Sequence, residues 1–166
     1  MEVSVVIPNY NGIAFLDSVL ASLEGQTLKN FEVIFVDNGS SDGSCSFVAG
    51  NYPWVHIIEL PENYGFCKAV NEGIKASRAP YVLLLNNDTE VKEDFLEEMV
   101  AAIRRHKRAF SCAARMVQYH DRDRLDDAGN FYNALGWSFA RGKGRDIHTY
   151  EKEEQIFSSC GGAAIY

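Results

Sequence analysis

The stretch "VSVVIPNYNG", residues 3–12, contains the junction that decides the fold. Residues 3–7 are apolar and mostly β-branched, which is typical of a parallel strand buried on both faces. Residues 8–12 then become polar and end in a glycine. The next residues, 13–27, space their apolar side chains as one face of a helix does. A buried strand, a polar break and a helix form the first half of a βαβ unit.

The same pattern recurs along the first two thirds of the chain. It predicts further strands at 31–36, 55–60 and 81–85, and helices at 45–51, 66–77 and 92–106. Strands that alternate with helices indicate an α/β fold with a mainly parallel sheet, and right-handed crossovers place helices on both faces.

The regular alternation of strands and helices ends after residue 108. We predict a strand within 109–117, a long loop with an irregular hairpin at 119–153, and a last strand interrupted at Gly161-Gly162. At 166 residues the chain is expected to form a single domain, with 1–108 as a βα half and 109–166 as an irregular second half.

Composition excludes several classes of protein. The net charge of −7 argues against a nucleic-acid binder, which needs a basic surface. The four cysteines form no CxxC and the histidines no HExxH, so we expect free thiols and no zinc site. With no signal-peptide pattern and no apolar run of spanning length, we predict a cytoplasmic chain, peripheral at the inner face of the membrane in the whole protein.

Polar clusters follow the carboxyl end of each of the first four predicted strands. They are Pro8-Asn9-Tyr10-Asn11, Asp37-Asn38-Gly39-Ser40-Ser41, Glu62-Asn63-Tyr64-Gly65 and Asn86-Asn87-Asp88. Ligands of open α/β sheets bind outside the carboxyl ends of the strands, where strand order reverses. If the sheet begins with the order 3-2-1-4, all four clusters line one crevice.

The motifs narrow the class of ligand that this crevice could bind. The first loop has no GxGxxG and the chain no GxxxxGK[ST], which disfavours dinucleotide and P-loop enzymes. Tyr10 could pack against a planar base, Asp37 could accept a hydrogen bond from a base, and Asp88 could hold a cation that bridges phosphates. The structural alternatives are a turn and cap for Asp37, and an N-cap of the helix at 92–106 for Asp88.

Four segments together resemble the family-2 glycosyltransferases of the GT-A fold. They are "VSVVIPNYNG", "FEVIFVDNGSSDGS", "NYGFCKAVNEGI" and "YVLLLNNDTEV", while "DDAGNFYNALG" and "SSCGGAAIY" are similar to the rhamnosyltransferase-like branch. The resemblance implies a Rossmann-like sandwich that binds a nucleoside-diphosphate sugar and inverts the sugar on transfer. Its implied nucleotide-sugar site comprises Pro8, Asn9, Tyr10, Asn11, Asp37, Asn38, Asn63, Gly65, Asn71, Asn86 and Asn87.

In that resemblance Asn86-Asn87-Asp88 takes the place of the family's DxD motif, so Asp88 is the one charged ligand for Mg²⁺ or Mn²⁺. The implied donor is UDP- or dTDP-linked, with dTDP-rhamnose a candidate, and the acceptor is a glycan or a lipid-linked hydroxyl. The catalytic base is an acid expected beyond Tyr166. Two alternatives are a non-catalytic module of the same fold and a nucleotidyltransferase, which would want a GGxGTR-like first loop.

Overall fold

The computed structural model describes all 166 residues, and its first half alternates strands with helices as the sequence predicts. The strands are β1 (Val3–Asn9), β2 (Phe31–Asp37), β3 (His56–Glu59) and β4 (Tyr81–Leu85). The helices are α1 (Ile13–Glu24), α2 (Ser44–Asn51), α3 (Phe66–Ala76) and α4 (Phe95–Arg105).

The main sheet has six strands, and its first four are parallel in the order β3-β2-β1-β4. The predicted order is therefore confirmed. On the far side of β4 the sheet continues with β10 (Ala163–Ile165) and β5 (Cys112–Ala113), and both of these pairings are antiparallel. In the register of β1 and β2, Asn9 lies directly opposite Asp37. Two polar side chains thus meet where both strands end.

Helices cover both faces of the sheet, as right-handed crossovers require. Alternate β1 residues Val3, Val5 and Ile7 pack in one core with α1, α2 and α4, whereas Val6 faces a smaller core against α3. Each fully buried aliphatic side chain contributes roughly 1.5–3 kcal/mol. Two-sided burial explains why β1 is apolar almost without interruption.

Helix α4 begins at Phe95, three residues later than predicted, because its start is fixed by other segments. The Glu93 carbonyl accepts a hydrogen bond from Thr27 N–H at 2.8 Å, and the buried Gln26 Oε1 accepts one from Leu96 N–H at 2.8 Å. Gln26 therefore caps α4 from the end of α1. Asp88 lies too far before the helix to be its cap.

The second half contains more short strands than the predicted strand, long loop and irregular hairpin. The stretch 109–117 contains β5 and then β6 (Met116–Val117), which pairs with β7 (Leu125–Asp127). A second hairpin pairs β8 (Asn130–Tyr132) with β9 (Ser138–Ala140). The last strand, β10, begins directly after Gly161-Gly162. None of the four helices combines the length and the apolar character needed to cross a membrane.

Candidate functional site

The Asn9 side chain joins three adjacent strands at their carboxyl ends. Its Nδ2 donates hydrogen bonds to Asp37 Oδ1 at 2.9 Å and to Ser40 Oγ at 3.2 Å. Its Oδ1 accepts one from Asn87 Nδ2 at 2.6 Å. Since Asn9 is 2% exposed, the amide is committed to this network. It fixes the loops after β1, β2 and β4 relative to one another.

Asp37 is a buried carboxylate that organises the loop after β2. Besides Asn9, it accepts hydrogen bonds from Ser40 N–H at 2.8 Å and from Ser40 Oγ at 2.6 Å. The bond to the N–H three residues later makes the turn that the structural alternative anticipated. A nucleotide base could therefore bond to Asp37 only through a carboxylate lone pair that these three hydrogen bonds do not use.

Asn38 connects the loop after β2 to the loop after β3. Its Nδ2 donates to Asn63 Oδ1 at 2.9 Å, and its Oδ1 accepts from Tyr64 N–H at 3.0 Å. Asn63 Oδ1 also accepts from Gly65 N–H at 2.9 Å. Gly39 has φ +76°, and a Cβ there would stand 2.6 Å from the Glu62 backbone. Only glycine permits the two loops to approach this closely.

Two residues outside the predicted set also build the crevice. Ser40 Oγ accepts from Asn11 N–H at 2.8 Å, so Ser40 ties the first loop to the second. The Asp42 carboxylate accepts from Ile13 N–H at 2.9 Å and from Ser44 N–H at 3.0 Å, which caps α1 and α2 together. In the sequence, only the Ser and Asp content of "DNGSSDGS" indicated these two residues. Their partners Asn11 and Ile13 lie far away along the chain.

At the β4 corner the three polar residues have different environments. Asn86 N–H donates to the Gly162 carbonyl at 2.9 Å and so belongs to the sheet, while Asn87 bonds to Asn9. Asp88 is exposed and forms no ion pair, although nearby Glu90 pairs with Arg122. Its carboxylate is therefore free to bind a ligand.

The chain does not bring three acidic, histidine or cysteine side chains together as a metal cage. A divalent cation that takes most of its ligands from phosphate and water needs only one or two carboxylates. The donor set at Asp88 fits that mode of coordination, in which the diphosphate arrives with the ion. It does not fit a metal held by protein alone.

The other predicted site residues are placed less centrally. Pro8 is buried within β1, and Tyr10 at the mouth of the crevice is 51% exposed, so its ring can contact a ligand. Asn71 is exposed on α3 and makes no side-chain hydrogen bond to the network. The structure thus brings most of the predicted residues to one sheet edge and leaves Asn71 outside the network.

Two cavities border this edge. One of about 400 Å³ lies beside Asp37 and Ser40, and Cys45 lines it. Burial, followed by the charges of Asp37 and Glu59, raises the pKa of the Cys45 thiol to about 12, so it remains protonated and is a poor nucleophile. A second, open groove of about 1620 Å³ begins at Asn86 and Asp88 and runs beside α4. Asp88 therefore stands between the polar crevice and the larger groove.

Comparisons with known proteins agree with this architecture. Residues 4–166 match the family described as "Glycosyl transferase family 2", so the chain belongs to that family. It is 29% identical over 128 residues to the putative teichuronic acid biosynthesis glycosyltransferase TuaG of Bacillus subtilis, covering 75% of this chain and 50% of TuaG. The chain thus spans about half the length of that curated relative.

Solved structures show the same fold. S. aureus TarS 1–349, in complex with UDP-GlcNAc, superimposes with a TM-score of 0.64 at 26% identity, over 70% of this chain and 34% of that one. The mannosyltransferase PcManGT from Pyrobaculum calidifontis, in complex with GDP-Man and Mn²⁺, gives a TM-score of 0.61 at 22% identity, over 69% and 35%. The predicted GT-A α/β fold is confirmed.

Proposed function

We propose that this chain binds the donor of an inverting glycosyltransferase, which transfers a sugar from a nucleoside diphosphate to an acceptor hydroxyl. The observation that carries the proposal is the hydrogen-bonded network at the ends of β2, β1 and β4. In a member of glycosyltransferase family 2, this is the edge where an open α/β sheet binds its ligand.

The donor we propose is UDP- or dTDP-linked. The UDP-GlcNAc complex of TarS supports a uracil nucleotide, while the rhamnosyltransferase-like segments support dTDP-rhamnose. The name of TuaG supports a role in polysaccharide or cell-surface glycan synthesis, with a glycan or lipid-linked acceptor. The exposed Tyr10 ring offers a surface on which either pyrimidine can stack.

Asp88 would hold Mg²⁺ or Mn²⁺ against the diphosphate. The ion would stabilise the negative charge that develops on the leaving group. Asn86 and Asn87 are neutral, so the protein offers a single negative charge at this corner. We therefore expect the ion to bind well only together with a nucleoside diphosphate.

The test is calorimetric titration of the protein with UDP, dTDP and GDP, each with and without Mn²⁺. We expect UDP or dTDP to bind more tightly than GDP, and Mn²⁺ to strengthen the binding. Mn²⁺ alone should give little heat. A folded sample that binds none of the three diphosphates would contradict the proposal.

A matched pair of variants isolates the role of Asp88. Asp88→Asn removes the charge and keeps the shape, and Glu93→Gln removes an exposed charge outside the crevice. We expect Asp88→Asn to abolish the Mn²⁺-dependent gain in UDP affinity and to lower the rate of the whole enzyme by roughly 10²–10³. Glu93→Gln should retain both. An unchanged Mn²⁺ effect in Asp88→Asn would remove Asp88 from the site.

A second candidate is a nucleotide-binding module without catalysis, which the neutral Asn86 and Asn87 favour. Both candidates predict UDP binding, so binding does not separate them. The two are separated by slow hydrolysis of the donor by the whole protein, which is measured as the release of UDP. Donor turnover that Asp88→Asn abolishes would reject the module, whereas tight binding with no turnover of any donor would support it.

A further inference from the structure

Charge is distributed very unevenly along this acidic chain. Residues 99–120 and 128–145 together contain eight of the 16 lysines and arginines and none of the 23 aspartates and glutamates. All of the acidic residues therefore lie elsewhere. A chain with a net charge of −7 thus contains two segments in which every lysine, arginine, aspartate or glutamate is a lysine or an arginine.

The same segments carry the two most exposed apolar side chains of the chain, Phe110 and Leu135, and a largely exposed tryptophan. Phe110 is 86% exposed, Leu135 is 82% exposed and Trp137 is 66% exposed. Phe110 ends the segment 104–110, in which every residue is exposed; it comprises the last two residues of α4 and the loop that follows, and is here called the basic loop. Residues 130–140, which form the β8–β9 pair and its turn, are here called the aromatic hairpin. Leu135 lies in its turn, and Trp137 directly precedes β9.

The two segments are anchored side by side. Ser111 Oγ, next to the basic loop, is 2.8 Å from Ser159 Oγ. Asn130 N–H of the aromatic hairpin donates to the Ser158 carbonyl at 3.0 Å. The Tyr132 ring packs at a tilt against the Phe157 ring, with ring centroids 4.9 Å apart. Both segments therefore rest on three consecutive residues, 157–159, and belong to one surface.

Part of the positive charge on this surface has no partner in the protein. Arg104 pairs with Glu2, Arg105 and His106 with Glu153, and Lys143 with Asp126. Lys107 and Arg108, at the exposed tip of the basic loop, are in none of the ion pairs. Arg145 also forms none. Lys107 and Arg108 lie three and two residues before the exposed Phe110.

We propose that the basic loop and the aromatic hairpin dock this protein on a bilayer that contains anionic lipids. Cations near such a surface attract its headgroups, and Trp, Phe and Leu side chains enter the boundary between headgroups and acyl chains. A soluble polyanion would satisfy Lys107 and Arg108 but would leave Phe110 and Leu135 in water. The combination of both features favours the bilayer.

The proposal is tested by co-sedimentation of the protein with vesicles, without nucleotide. We expect binding to vesicles of phosphatidylcholine mixed with phosphatidylglycerol, weaker binding to phosphatidylcholine alone, and loss of binding in high salt. The double variant Lys107→Ala/Arg108→Ala should bind roughly 30-fold more weakly, at about fivefold for each cation. The matched control Lys29→Ala/Lys75→Ala, which removes two exposed lysines elsewhere, should bind normally.

A second pair of variants tests the apolar contribution. Leu135→Ser should weaken vesicle binding, whereas Phe15→Ser, at an exposed position of α1, should not. With Trp54 replaced by Phe, Trp137 is the single tryptophan, and its emission should shift to the blue on vesicles. Binding of dextran sulfate without binding to phosphatidylglycerol vesicles would overturn the proposal, as would equal binding of the paired variants. Calorimetry with UDP tests the donor site independently of this outcome.

Discussion

The Asn9 side chain occupies the gap between β2 and β4 and bonds to both. In Asn9→Ala, Asp37 and Asn87 each lose a partner inside a buried network. A buried polar group without a partner costs about 1–3 kcal/mol, so we expect the free energy of unfolding, measured in urea, to fall by that amount. Asn51→Ala removes one exposed side-chain hydrogen bond, from Asn51 Nδ2 to the Phe47 carbonyl in α2. It should change the free energy of unfolding by less than about 0.5 kcal/mol. Equal midpoints for the two variants would show that the network is dispensable.

The same residues show how far single side chains can be anticipated from sequence. Asn9, Asp37 and Asn87 could be assigned to one crevice because each follows a strand, and parallel strands end at the same edge. Their partners could not be assigned, since a hydrogen bond of 2.6–2.9 Å depends on strand register and loop closure. Ser40 lies in the predicted cluster after the second strand but was not predicted as a site residue for this reason, although it bonds to Asn9, Asn11 and Asp37.

At the scale of elements, α3 packs so closely on β1 that a glycine is required at the contact. A Cβ at Gly73 would overlap Val6 and stand 3.1 Å from Val36 Cγ2, whereas one at Gly50 in α2 would meet nothing within 4 Å. Alanine favours a helix by about 1 kcal/mol over glycine. We expect Gly50→Ala to raise the unfolding free energy by up to that amount, and Gly73→Ala to lower it by about 1–3 kcal/mol through overpacking. Thermal unfolding of both variants checks the signs, and stabilisation by Gly73→Ala would refute the close approach.

Two helices begin at the Asp42 carboxylate, which makes their stability depend on pH. Burial raises the pKa of Asp42, but hydrogen bonds from Ser44 and Ile13 outweigh it and leave the pKa below its ordinary 3.8. The cap therefore stabilises the fold above that value, and the stabilisation is lost as the pH falls through the lowered pKa. At neutral pH we expect Asp42→Asn, which removes the charge, to lose about 0.3–1 kcal/mol at each of the two helix ends, and this deficit to shrink as the solution is acidified.

Exposed Asp123, which makes no ion pair, provides the matched control for that measurement. Urea unfolding of Asp123→Asn should differ from the unmodified protein by less than about 0.5 kcal/mol at each pH. A deficit in Asp42→Asn that stays constant, or grows on acidification, would show that the charge of Asp42 does not stabilise the helix ends.

Element boundaries could be predicted wherever apolar periodicity extends over a whole helix or buried strand. The start of α4 could not, because Gln26 and Thr27, far away in sequence, bond to its first turn. The limits and pairing of β6 to β9 could not be predicted either, since elements of two or three residues are too short to show a period.

At the scale of the whole molecule, the chain has two levels of stability. The 20-residue core cluster takes its members from residues 3–103 and from β10. Residues 118–160 are held instead by short two-stranded pairings, which are marginal on their own. In this stretch Leu125 is the one apolar side chain that is fully buried. We therefore expect its amides to exchange hydrogen through local opening, and those of β1, β2 and β4 only through global unfolding.

Hydrogen exchange followed by mass spectrometry separates the two levels, and Leu125→Ala shows whether they are independent. The variant removes the buried side chain of the second half, so exchange in 118–160 should accelerate. The β1 peptides should be unaffected, because local opening does not pass through the core. Val5→Ala in β1, which is buried in the main core, should accelerate exchange in β1, β2 and β4, while 118–160 continues to exchange at the rate set by its own local opening. If Leu125→Ala accelerated exchange in β1 as strongly as in 118–160, the molecule would be a single cooperative unit, and the second half would be as firmly integrated as the sheet itself.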